Sequence, residues 1–283
     1  MAIVLALVSS FLWGIGDFAG GTVSRRLPVL AVVPLSQASG LVAVVCVASV
    51  AGSWSDATGY LPWAIAAGIT GAVGLLAFYH ALAIGTMGVV APIAALGVVV
   101  PVAAGVASGQ WPSYVVGIGI VLAVAGVVGA GGPERSAGHS MRPVVLAVAS
   151  AICFGAALLF ITRGSAYSPI MTMVTMRMAS VALFGGLLIG LRRRIFGRSP
   201  TGGNRIGVLL IVVIAGLFDV SANLAFAFAS TVGSLATVAV LGSLYPAVTV
   251  VLARAVHGER LRRVQQAGVA VALIGVALIA GWS

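Results

Sequence analysis

Few side chains in this sequence can do chemistry, and those few lie inside apolar runs. Asp17 sits in WGIGDFAGG, residues 13–21, a carboxylate flanked by Gly14, Gly16, Gly20 and Gly21. Two such groups sharing a water could hydrolyse a bond, one as base and the other as acid. One alone could carry a proton or hold a cation. Deep inside other apolar runs lie Arg177, Asp219, Asn223, Gln37 and His80. A charge at a helix centre in lipid costs about 2.5–3.5 kcal/mol on insertion scales, so each needs a partner or a cavity.

Composition decides what must position them. The 283 residues are 61% hydrophobic and 7% charged, with a mean hydropathy of +1.19. A soluble domain carries roughly a quarter charged residues, so lipid is the expected solvent. Apolar runs at 3–22, 29–51, 61–84, 88–107, 113–131, 143–162, 168–190, 206–229, 233–256 and 264–282 predict ten spanning helices. Helix is forced there, because in lipid each backbone polar group must be satisfied within its own segment. The opening MAIVLALVSSFLWG has no basic start and reads as the first span rather than a removed signal peptide. Cys46 and Cys153 lie within spans without a CxxC partner and imply neither disulfide nor metal.

The net charge of +10 comes from fifteen Arg against five acids. With the Arg in short loops, it reads as a topology signal and attraction to lipid headgroups; nucleic acid is not an expected partner. Arg25, Arg26, Arg135, Arg142, Arg192, Arg193, Arg194, Arg198, Arg205, Arg254, Arg260, Arg262 and Arg263 all fall on one face if ten spans alternate. Short Arg-rich loops stay cytoplasmic, so both termini are expected outside the cytoplasmic membrane. Only Arg163 falls on the other face.

The chain also repeats itself. At a shift of 141, VLA at 4–6 meets VLA at 145–147, and Ser9, Gly14, Ser24 and Pro28 meet Ser150, Gly155, Ser165 and Pro169. At 145, Gly71, Thr86, Gly88, Leu96, Gly97 and Pro101 meet Gly216, Thr231, Gly233, Leu241, Gly242 and Pro246. At 149, Gly109, Gly119 and Gly126 meet Gly258, Gly268 and Gly275. A period of five spans is odd, so the second copy must run upside down. The expected fold is an all-α membrane protein of ten transmembrane helices in two inverted five-helix repeats, residues 1–132 and 143–283. Inverted repeats around a mid-depth site are the usual plan of secondary transporters.

The stretch LYPAVTVVLARAVHGERLRRVQQAGVAVALIGVALI, residues 244–278, resembles the end of an EamA-type repeat of the drug/metabolite transporter superfamily. Its marks are a Pro in the penultimate helix, a Gly-Glu-Arg turn, and a Gln with spaced Gly in the last helix. SSFLWG at 9–14 is similar to the Trp-Gly opening of that family's first helix. The resemblance implies five plus five inverted helices with the fifth and tenth peripheral, and a transporter. The chain departs from the pattern at Gln110, where the second copy has Glu259, and at Asp17, which the pattern does not demand.

A second resemblance fails. GxGD is also a mark of intramembrane aspartyl proteases, but there it follows a Tyr-Asp helix and precedes a Pro-Ala-Leu segment. Here it lies in the first span, the only other mid-depth Asp is in LFDV, and no PAL occurs. Neither HExxH nor DDxxD is present, no ATP-binding motif or cofactor fingerprint occurs, and no cofactor or enzyme activity is expected.

The resulting expectation is a secondary active transporter, an exporter, of a small organic metabolite or drug. The alternatives are an uncoupled facilitator and a non-transporting scaffold or receptor. Asp17, His80, Arg177, Asp219 and Asn223 are expected on the substrate or ion path, with Trp13, Gln37, Tyr79 and Tyr245 lining it. Asp17 is either a proton-titrating or cation-facing group, or an anchor for Arg25 or Arg26. Arg177 and Asp219 are either an ion pair locking two helices or substrate contacts. Glu259 reads as a salt bridge among Arg254, Arg260 and Arg262. Pro34, Pro92, Pro101 and Pro246 each remove a helical hydrogen bond and are candidate hinges. Gly119 with Gly126, and Gly268 with Gly275, offer small stripes for intramolecular packing or a homodimer.

Overall fold

The computed structural model describes residues 1–101, 113–130, 141–195, 205–233, 235–259 and 263–282. Among these every regular element is helical. The helices are α1 (Ala2–Ser24), α2 (Val29–Ala51), α3 (Leu61–Ile84), α4 (Met87–Ala95), α5 (Tyr114–Ala130), α6 (Arg142–Ser165), α7 (Pro169–Ile195), α8 (Arg205–Val232), α9 (Leu235–Gly242), α10 (Tyr245–His257) and α11 (Arg263–Trp282). Six of them, α1, α2, α3, α6, α7 and α8, are long and apolar enough to cross a membrane.

Local chemistry sets their ends. Ser168 caps α7: its hydroxyl accepts from the Met171 amide at 3.2 Å, and Pro169 fills the first helical position, where no N–H is needed. Gly52 after α2 and Gly258 after α10 take φ of 68° and 65°, the left-handed geometry that closes a helix and favours glycine.

The run 233–256, expected as one helix, is two. α9 ends at Gly242, Ser243 and Leu244 turn, and α10 starts at Tyr245. Pro246 is the cause, since it has no N–H and its ring crowds the carbonyl four residues back. It therefore opens α10 in its first turn instead of kinking a continuous helix, correcting its reading as a hinge within one. The matching run in the first half is also interrupted. After α4 the backbone tightens into a 3₁₀ turn at Leu96–Val98 before resuming toward Pro101. Pro34 lies inside α2 and Pro92 inside α4.

α1 packs on α8, and α3 on α6; α2 packs on α8, and α3 on α7. α1 also touches α9 and α10, while α6 touches α4 and the Leu96–Val98 turn. α5 and α11 pack mainly on each other, so the glycine-bearing helices meet within one chain. Close approach is local: a Cβ on Gly97 or Gly155 would run into the facing backbone, Ala151 O and Gly97 O respectively. Hydroxyls tie helices where glycine brings them near. Ser9 donates to Ala222 O at 2.8 Å, Ser180 to Gly68 O at 3.0 Å and Thr249 to Gly14 O at 3.2 Å. The outward faces carry Val42, Val50, Ile152, Ile189 and Val251, as a lipid-facing belt requires.

Candidate functional site: a polar cavity between the helices

Arg177 on α7 is only 1% exposed, the largest fully buried side chain described. Its Nη1 donates to Asp219 Oδ2 of α8 at 2.8 Å and to Gln37 Oε1 of α2 at 2.5 Å. Gln37 Nε2 reaches the same Asp219 oxygen at 3.4 Å. Asn223, one turn along α8, donates to Asp219 Oδ1 at 2.9 Å and to its backbone carbonyl at 2.7 Å. Three helices are thus joined through one carboxylate. The arrangement follows from cost: a buried guanidinium without a counter-charge is strongly destabilising. Arg177 Nε and Nη2 nonetheless find no hydrogen-bond partner.

Asp17 is 8% exposed, and no hydrogen bond or ion pair from the described residues reaches its carboxylate. Trp13, one turn earlier on the same face of α1, lies 6.3 Å from the Tyr245 ring, edge to face, and 5.7 Å from Phe226. The Tyr245 hydroxyl is buried and also without a partner. Tyr79 is buried behind Asp17, its hydroxyl donating to Gly16 O at 3.4 Å. Gly20 is needed here, because a Cβ would overlap the Tyr79 ring.

Both groups face one cavity of about 80 Å³. Trp13, Asp17, Gln37, Arg177, Asp219, Asn223 and Tyr245 line its polar part, and Leu75, Phe154, Leu158, Ile161 and Met176 its apolar part. Both helix interruptions border it, through Gly97 and Val98 on one side and Gly242 and Ser243 on the other. Tyr79 is close by but does not line it. His80 does not join it at all. It is exposed on the opposite side of α3, since one residue of helix turns a side chain by about 100° and Tyr79 takes the inward position. The expectation that His80 lies with Asp17 on the path through this cavity is therefore corrected.

A second polar group closes the Arg-rich end. Arg25 Nη2 pairs with Glu259 Oε1 at 2.5 Å and also donates to Gly85 O at 3.3 Å, while its Nε donates to Leu82 O at 3.3 Å. Glu259 Oε2 accepts from the Gly88 amide at 3.3 Å. Beside them Thr22 Oγ1 and His257 Nε2 are 2.9 Å apart, and His257 stacks on Phe18 at 5.2 Å. Arg25 therefore serves Glu259 and not Asp17, and Glu259 finds its partner in the first half of the chain. Arg260 and Arg262, two of the neighbours expected for Glu259, lie outside the described residues, as does Gln110. Reading the sequence left Gln37 as a lining residue and missed that it bridges both charges. Its glutamine type deep in an apolar helix was the available signal.

Residues 141–281, half of the chain, match the EamA-like transporter family. The chain belongs to that family. It is accordingly a transporter-family membrane protein whose surroundings are the lipid bilayer and whose partner is a small-molecule substrate. A solved structure, described only as a crystal structure of a protein, is similar with a TM-score of 0.70. The match is at 17% identity and covers 98% of this chain and 95% of that one, a likeness of fold. No curated protein matches the sequence.

Proposed function

We propose that this EamA-family chain is a secondary active transporter that exports a small organic solute across the cytoplasmic membrane by alternating access. The cavity carries the proposal: it is bordered by two helix interruptions, the turn at Leu96–Val98 and the break at Ser243–Leu244, which meet at Val98 and Ser243 under the 145-residue shift. Broken helices at corresponding positions of two halves are where transporters of inverted-repeat design hold substrate. The packing supports such a design. Exchange the first five apolar runs for the last five, and α1 on α8 becomes α6 on α3, α2 on α8 becomes α7 on α3, and α5 on α11 is unchanged. Residues 1–132 and 143–283 are then two inverted five-helix repeats, with both termini outside and the Arg-rich end cytoplasmic. Export is taken from the family resemblance.

In this reading Asp17 is the proton-titrating or cation-facing group, and Arg177, Asp219, Gln37 and Asn223 form the fixed polar wall. The unpaired Asp17 favours a coupled transporter over a facilitator, since a facilitator needs no isolated carboxylate in its path. A scaffold needs neither the carboxylate nor the cavity. The test is transport by purified protein in liposomes, with counterflow across amino acids, sugars and organic amines. Asp17→Asn should abolish pH-driven accumulation and spare counterflow. Full pH-driven transport by the Asn variant removes Asp17 from coupling, and absence of counterflow for every solute class rejects transport.

A further inference from the structure

The charges around the cavity do not balance. Its described lining holds two carboxyl groups, Asp17 and Asp219, and one guanidinium, Arg177. Arg177 and Asp219 neutralise each other at 2.8 Å, which leaves Asp17 as the acid of the described lining with no counter-charge beside it. Asp17 is more than nine-tenths buried and unpartnered, a costly state that a bound cation would relieve. A neutral or anionic solute would leave it uncompensated or worsen it. The aromatic faces of Trp13 and Tyr245 beside it suit an ammonium group further. Two donors on the same lining, the Tyr245 hydroxyl and Arg177 Nη2, are also buried and unpartnered, and such groups gain from an acceptor on the ligand.

We propose that the cavity takes a monocationic organic amine that also bears a hydrogen-bond acceptor, its ammonium on Asp17 and its acceptor toward Tyr245 and Arg177. The hydrocarbon part lies against Leu75, Phe154 and Leu158. This assignment rests on the transporter reading only for its purpose; the binding chemistry stands apart from it.

The test uses the purified full chain in detergent and four probes with one branched hydrocarbon body: leucinol (amine with hydroxyl), isoamylamine (amine alone), leucine (zwitterion) and 4-methylpentanoate (anion). Binding is read by calorimetry. Both amines should bind at least about tenfold more tightly than leucine or 4-methylpentanoate, as one buried charge pair implies. Leucinol should exceed isoamylamine by about threefold or more, for one added hydrogen bond. Asp17→Asn should weaken both amines about tenfold while Asp17→Glu retains them, and Tyr245→Phe should erase the advantage of leucinol. Equal binding of leucine or the anion, failure of both amines to bind, or amine affinity unchanged in a folded Asp17→Asn protein overturns the proposal. The same probes in liposome counterflow separate the two claims. Asp17-dependent amine binding without exchange rejects transport and keeps the site, whereas exchange of anions independent of Asp17 keeps transport and rejects the site.

Discussion

Replacing Asp219 by Leu should cost more than replacing Arg177 by Leu, and both should cost more than replacing the two together. The asymmetry comes from what each change leaves behind. Without Asp219, Arg177 keeps only the Gln37 carbonyl oxygen and stays 1% exposed. An uncompensated buried charge of that kind costs about 3–5 kcal/mol. Without Arg177, Asp219 still receives amide N–H groups from Asn223 at 2.9 Å and Gln37 at 3.4 Å, and its side chain is 14% exposed. That loss should be nearer 1–3 kcal/mol, roughly the cost of an imperfectly satisfied group. The double variant removes both charges and should recover more than the whole Asp219→Leu loss, at least about 3–5 kcal/mol, relative to the sum. Equilibrium unfolding in mixed micelles, followed by tryptophan fluorescence, measures all four corners of the cycle. Losses additive within about 0.5 kcal/mol would refute the argument, because side chains that do not interact add.

Arg25→Glu and Glu259→Arg should each lower thermal stability and raise access of water-soluble thiol reagents from the Arg-rich end, and the charge-exchanged double should recover most of the loss. The pair is partly exposed, at 27% and 13%, so each single change should amount to about 1 kcal/mol at most. A double variant no better than the worse single one would show that the two do not latch that end. Fusions at the C-terminus report topology: a phosphatase should be active there and a fluorescent protein dark. The reverse pattern would turn the molecule over and place the Arg-rich end outside.

Much of the architecture is legible from hydropathy alone, because lipid leaves a long apolar run no alternative to helix. The pairing of Arg177 with Asp219 is legible for the same reason, since each charge needs the other at that depth. Other features depend on quantities that a string of residues does not carry. The break at Ser243–Leu244 hides within a run that is apolar throughout, and Pro246 signals it only once it is seen to start a helix. His80 and Tyr79 are neighbours in sequence, so a rotation of one residue decides which enters the interior, and their similar depth gave no means to choose. Glu259 is followed by Arg260 and Arg262 in sequence, while its partner Arg25 lies 234 residues away, a distance that only the fold closes.

Alternating access is the centre of this account, and a single cysteine in the cavity tests it most directly. Ser243 is 5% exposed, borders the cavity at the helix break and differs from cysteine by one atom. Ser243→Cys is placed in a chain carrying Cys46→Ser and Cys153→Ala, reconstituted in one orientation, and labelled with a membrane-impermeant thiol reagent from either side. Reaction from both sides is predicted, with labelling from the Arg-rich side lost once Arg25→Cys and Glu259→Cys are cross-linked. A cysteine that reacts from one side only, or from both after the cross-link, would contradict it.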